Sequence, residues 1–295
     1  MVPRIRLLPL AVVCLLAVGW LDALGQTAQA IRFNPAAGSR VHTIWRTEIL
    51  MSVVDAGGSL VDTLAAEATR LESVTRFVDA TDDGRYSVEL QYDSVRARKR
   101  LRGGVWHDVE PSDLEVASVR VLLDDRARLL DAEFVYLPHE TASQGEVMRG
   151  FVGGTYMHLP EGPVAADSSW SAVLRIPLTA LASVAHPEGV PSGGDLVARV
   201  TARVDSMAIR QTDTLAFISL QGSIASNGGD GGDTQTGIFA GGSVAAMLVW
   251  SSGWDAYVTG AVRSLVAFTR LRDRVSELAA QELRFDMTTQ FQVRP

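Results

Sequence analysis

A single cysteine and a single lysine are present in this 295-residue sequence. Cys14 lies inside an apolar leader, so the body of the chain has no disulfide and no thiolate nucleophile. Lys99 is the one lysine among 27 basic residues, a bias of base composition, so arginine abundance carries no functional message by itself. The five histidines, His42, His107, His139, His158 and His186, are scattered, and no two have the close helical spacing of a zinc site. There is no G-x-S-x-G elbow and no glycine-rich phosphate loop opening a helix. A Ser-His-Asp group drawn from distant positions stays open, because such triads assemble in space. The paired carboxylates Asp82-Asp83 and Asp124-Asp125 fall at expected turns, where aspartate serves the backbone. No long apolar run follows the first thirty residues, so no internal membrane-spanning helix is expected.

The first thirty residues have the pattern of a secretory signal. Arg4 and Arg6 precede the apolar stretch Leu7–Trp20, LLPLAVVCLLAVGW, which is too short to span a bilayer. Small-residue sites follow at Ala23-Leu24-Gly25 and Ala28-Gln29-Ala30, and cleavage is expected after Ala30, giving a periplasmic or secreted protein. Cys14 follows Val13 within the apolar stretch, a poor context for lipid attachment. The leader holds Arg4, Arg6 and Asp22, so the formal charge of −7 becomes −8 without it. That balance excludes a general nucleic-acid binder.

Most of the remaining chain alternates at period two, the signature of half-buried strands. RVHTIWRTEILMSVV (Arg40–Val54) places Val41, Thr43, Trp45, Thr47, Ile49 and Met51 on one side. RYSVELQYDSV (Arg85–Val95) places Tyr86, Val88, Leu90 and Tyr92 together. Turns are expected at Asp124-Asp125-Arg126 and around Gln211-Thr212-Asp213. Leu64–Val78 also fits a helical stripe, but its Thr, Val and Phe content predicts strand. One short helix is expected near the middle, over Glu140–Gly153. A faint echo links RLESV (Arg70–Val74) and LQYDSV (Leu90–Val95) with RVDSM (Arg203–Met207) and LQGSI (Leu220–Ile224).

The expected fold is therefore all-β and mainly antiparallel, with two related curved sheets or half-barrels. The units are a leader over 1–30, an N-terminal β unit over 31–160 and a C-terminal β unit over 161–295. Pro35 to Gly38 forms a P-x-x-G lead-in to a long strand, and Leu159–Trp170 reads LPEGPVAADSSW. In these features the chain resembles exported bacterial envelope proteins of the domain-of-unknown-function type, β-rich and in part lipoproteins. That resemblance implies curved antiparallel sheets and brings no catalytic residues. The chain departs from the lipoprotein members in lacking a proper lipidation cysteine.

Three stretches could carry chemistry. SNGGDGGDT (Ser226–Thr234) looks like one turn of a calcium-binding repeat, with Asn227, Asp230 and Asp233 as oxygen donors. Such repeats need tandem copies, and Gln235 stands where an apolar residue belongs, so a plain strand connection is the expectation. RARKRLR (Arg96–Arg102) sets Arg96, Arg98, Arg100 and Arg102 on one face of a strand with Lys99 opposite. That row is either a solvated edge that resists aggregation or a grip for phosphate and carboxylate groups. Of the tryptophans beyond the leader, Trp45, Trp106, Trp170, Trp250 and Trp254, the last sits at a turn and is the expected exposed ring. These features indicate an exported binding or interaction protein without cofactor, holding a lipid or other amphiphile in an apolar groove between curved sheets, or meeting an envelope protein. The alternative is a secreted hydrolase with a site assembled from dispersed residues.

Overall fold

The computed structural model describes residues 28–109 (apart from 56 and 82), 118–136, 158–177, 195–226 (apart from 211), 238–270 and 282–294. The expected helix at Glu140–Gly153, the Gly-Asp loop with Asn227, Asp230 and Asp233, and residues 1–27 of the leader lie outside these. So do His139 and His186. Twelve strands are present: β1 (Arg40–Val54), β2 (Leu60–Ala80), β3 (Arg85–Leu101), β4 (His107–Val109), β5 (Ser118–Asp124), β6 (Leu129–Tyr136), β7 (Ser169–Pro177), β8 (Asp195–Arg210), β9 (Asp213–Ser226), β10 (Ile238–Ser251), β11 (Ala256–Arg270) and β12 (Glu282–Arg294). The described residues contain no helix.

All strands belong to one antiparallel sheet in the order β6-β5-β3-β2-β1-β12-β11-β10-β9-β8-β7, with β4 on the flank of β3. The first and last long strands pair at its centre, from His42 opposite Arg294 to Val54 opposite Glu282. β1–β6 fall within residues 31–160 and β7–β12 within 161–295, so the two expected units are the arms of a single sheet. A second sheet is not among the described residues. Among the described residues β6 and β7, consecutive in the chain, are the two ends of this order and do not pair with each other, so the sheet stays open between them, and the short β4 pairs with β3 alone.

The arms do not lie flat. The segment Leu159–Ser168 ties the β5–β6 turn to β8: the Leu159 amide donates to the Arg126 carbonyl, and the Asp167 amide to that of Val204. This short segment, bent at residues 161–162 and turning at 166–167, spans less than the roughly 29 Å of eight extended residues. Eight strand spacings along a flat sheet measure about 38 Å, so the sheet rolls. The N-terminal segment crosses the same end, where Gln29 exchanges two backbone bonds with Val164 and the Phe33 amide donates to Asp125. The Phe33 ring meets Phe77 and Tyr86 edge-on at 5.6 and 5.4 Å. The P-x-x-G lead-in ends at Gly38, whose φ of 79° suits glycine and whose amide donates to the Phe77 carbonyl. The LPEGPVAADSSW stretch is the tie itself.

Alternation sorts the side chains as the sequence predicts. Val41 and Met51 are buried, Trp45 stacks on Phe291 at 4.8 Å, and Thr47 bonds Thr289 across β1 and β12. The inner rows continue through Leu71, Val95, Val121, Phe285, Val244, Ile218 and Ala202, all buried. β2 is strand throughout, with register shifts at Glu72/Ser73 and Phe77/Asp79. Asp93 on β3 and Asp205 on β8, each in an Asp-Ser pair, are the extra residues of β-bulges.

Two glycines let the second arm coil tightly. A Cβ on Gly222 would lie 2.2 Å from the Arg199 carbonyl oxygen, and one on Gly242 would lie 1.9 Å from that of Leu265. Neither backbone can yield without breaking ladder bonds. Gly242→Ala is expected to cost about 3 kcal/mol in chemical denaturation. Gly162→Ala, with open space at its Cβ, is expected to stay within about 0.5 kcal/mol of the parent.

Asp213 clamps two turns at the same end. Its carboxylate accepts from the Ser251 hydroxyl at 2.9 Å, the Ser252 hydroxyl at 3.1 Å and the Gly253 amide at 2.8 Å. Burial pushes this carboxyl up, but the Gly253 amide and the serine hydroxyls outweigh it and hold it below the ordinary aspartate value. The clamp therefore contributes fully above about pH 4, the ordinary value, and is lost as pH falls through the lower folded value. Asp213→Asn is expected to cost about 1 kcal/mol at pH 7. In urea titrations against pH, the difference should vanish in acid.

Candidate functional site

The outer face of β1, β2 and β3 carries a groove of about 260 Å³, lined by Arg46, Glu48, Arg70, Arg96, Arg98 and Asp108 among others. Strand alternation puts these six side chains outward, because their neighbours Trp45, Thr47, Leu71, Val95 and Lys99 face the inside. β4 supplies Asp108, the register partner of Arg98.

The predicted arginine row divides. Arg96, Arg98 and Arg100 share the outer face of β3 with Lys99 on the inner one, where its register partner is Glu67. Arg102 leaves the strand for the turn at Gly103 and pairs with Asp62 at 2.5 Å. Trp106 stacks over the row, with the Arg98 and Arg100 guanidinium carbons 4.9 and 5.4 Å from its ring centre. Sequence reasoning gave this ring no special place, although its position beside Gly103-Gly104 and an arginine run pointed to an exposed turn.

Trp254 is at the other end of the molecule. It is 37% exposed in the β10–β11 turn, beside Asp255, whose carboxyl is pushed up by burial. Asp255 in turn acts on Tyr86 at the start of β3: burial pushes the Tyr86 phenol up, and the charges of Asp125 and Asp255 add to it. Tyr86 and Arg96 are separated by roughly 33 Å of strand, so Trp254 and the arginines form no common site.

The remaining tryptophans serve the core. Trp250 is 2% exposed, Trp45 donates to the Ser73 hydroxyl at 3.3 Å, and Trp170 donates to the His158 carbonyl at 2.8 Å. Among the described histidines, His42 lies 3.8 Å from Glu72, beyond hydrogen-bond reach. Burial, with Arg128 and Arg126 nearby, pushes the His158 imidazole down. No described cluster of three His, Cys, Asp or Glu residues could hold a metal.

Apolar side chains continue the site beyond the groove. Leu101, Val105 and Val109 are 60%, 71% and 44% exposed along β3, β4 and their connection, and Leu60 and Val61 lie exposed at the start of β2. By register Leu101 and Val109 lie on the Lys99 side and Trp106 on the arginine side, so the result is an exposed apolar edge of the sheet with the Arg98 and Arg100 guanidinium groups on its outer side. On the inner face the crevice between β1, β2, β3 and β12, beside Ile49, Met51, Lys99 and Phe285, measures only about 10 Å³.

Trp106 is 40% exposed and lies over Arg98 and Arg100, so Trp106→Ala is expected to cost no more than about 1 kcal/mol. Trp250→Ala, which empties a buried position, is expected to cost about 3–5 kcal/mol. Guanidinium titrations of the two variants check the contrast.

Neither a protein-family model nor a curated protein sequence matches this chain. Among solved structures, 89% of the chain superposes on part of lipovitellin, in a structure concerned with its lipid–protein interactions, with a TM-score of 0.53 and 8% identity. An outer-membrane channel from Pseudomonas putida F1 matches over 91% of the chain at 8% identity, but its TM-score of 0.20 carries no inference. The chain spans about 26% of the lipovitellin chain it matches, and the likeness is one of fold.

Proposed function

We propose that this chain is an exported envelope protein, periplasmic or secreted, that binds a lipid or other amphiphile at the exposed β3–β4 edge of its sheet. The observation that carries the reading is the exposed apolar edge of Leu101, Val105, Trp106 and Val109, where Trp106 lies over Arg98 and Arg100. An amphiphile has the complementary character, an apolar part for the edge and a polar head for the guanidinium groups. The sequence suggests a groove between two sheets; the described strands form one sheet, and the reading here rests on its exposed edge. The likeness to lipovitellin shows a related sheet in a protein that contacts lipid; the assignment to this chain rests on the edge.

Export leaves two cleavage positions to choose between. Cleavage after Ala30 would remove Gln29 and with it both backbone bonds to Val164. Cleavage after Gly25 keeps them, which favours the earlier position over the later one. The intact mass of protein recovered from the periplasm or medium distinguishes the two.

Vesicle co-sedimentation tests the binding reading. The protein is expected to pellet with phosphatidylglycerol vesicles, and Val105→Ser combined with Trp106→Ala is expected to weaken binding at least tenfold. That loss corresponds to about 1.4 kcal/mol, less than two buried apolar side chains supply. Undiminished binding by the double variant, or no pelleting of the parent, would refute the reading.

A further inference from the structure

Arg46, Arg70 and Arg96 stand in one line across three adjacent strands. Arg46 is the register partner of Arg70, and Arg70 is the register partner of Arg96. Side chains opposed in this way start from Cβ atoms about 5 Å apart, and like charges so placed destabilise a sheet. Elsewhere on the same face arginines meet carboxylates: Arg263 grips both oxygens of Asp286 at 3.1 and 2.6 Å, and Arg120 pairs with Glu133 at 3.0 Å. The line is different. One terminal nitrogen of Arg70 reaches Glu72 at 2.5 Å, but its Nε is buried with no hydrogen-bond partner. Arg46 and Arg96 form no ion pair among the described residues. All three line the 260 Å³ groove, with Arg98 completing a set of four against Glu48 and Asp108.

We propose that the groove is a binding site for a phosphate group, the head of the amphiphile proposed above, on which reading its biological source rests. The chemistry favours phosphate over carboxylate. Three guanidinium groups spread over two strand spacings, about 10 Å, converge best on a group with three or more acceptor oxygens. A single guanidinium already saturates a carboxylate, as Arg263 does with Asp286. A bound phosphate would supply negative charge to Arg46 and Arg96, which form no ion pair among the described residues. The volume of the groove exceeds a bare phosphate and leaves room for an attached head group.

The test titrates the full chain with inorganic phosphate by calorimetry, comparing the parent with Arg46→Gln, Arg96→Gln and the control Arg263→Gln. Saturable binding is expected, weakened at least tenfold by either groove variant and unchanged by the control. In phosphate-free buffer both groove variants are expected to melt at a higher temperature than the parent, because each removes a like-charge contact. A purely structural role would lower the melting temperature, and that result would overturn the proposal. Absence of saturable phosphate binding, or equal competition by acetate, would also overturn it. Phosphatidylglycerol and phosphatidylcholine vesicles separate the two readings. Phosphate binding as stated without vesicle binding leaves the groove standing and removes the amphiphile; vesicle binding indifferent to Arg46→Gln and Arg96→Gln removes the groove alone.

Discussion

Everything in this fold hangs on the pairing of β1 with β12. Those strands run opposite each other without a register shift from His42–Arg294 to Val54–Glu282. They are locked by the Trp45–Phe291 stack and the Thr47–Thr289 hydrogen bond, whose partners are 242 residues apart in the chain. The pairing turns two successive meanders into the arms of one sheet and places the first and last long strands at its middle. It is also the costliest contact to form, since ring closure over that length precedes any reward from packing. Until it forms, each arm has an unpaired edge at β1 or β12, where the finished sheet has none.

The roll of the sheet follows from that centre and decides where function can reside. The Leu159–Ser168 tie, the N-terminal segment and the Asp213 clamp all act at one end, where Arg126 also donates from Nε and Nη2 to the Leu159 carbonyl at 3.0 and 2.9 Å. Bulges at Asp93 and Asp205 add local twist, and Gly222 and Gly242 let backbones approach. Much of the inner face is given to a buried apolar cluster. The groove of the outer face and the apolar end of β2, β3 and β4 are where a ligand is proposed.

Alternation was readable because it is local. Val41 to Met51 face inward as their spacing required, and the turns after Asp124 and Arg210 fall where aspartate and polar runs signalled them. The single sheet was not readable, because no local pattern records that residue 47 meets residue 289. The arginines show the same limit. Along β3 the period-two spacing of Arg96, Arg98 and Arg100 was visible, while Arg102 escaped into a turn that Gly103 made possible. Across the sheet, the alignment of Arg96 with Arg70 and Arg46 depends on hairpin length and on the bulge at Asp93, which single-strand periodicity cannot supply. Trp106 needed the same lateral information, since only the sheet shows two guanidinium groups beneath it.

Base composition explains why this chain uses arginine, and it says nothing about where arginine goes. Position is set by register, and register puts three positive charges in a row on a molecule whose net charge is −7. Glu72 meets the middle charge, and like charges opposed on an exposed sheet face destabilise it by about 0.2–1 kcal/mol. Charge-poor polar residues at the same outward positions would satisfy the sheet equally well, so folding alone does not call for the row. A strain of this kind, held on an otherwise well-paired surface, would be released by a bound anion, and the repulsion would then add to the binding rather than to the cost of the fold.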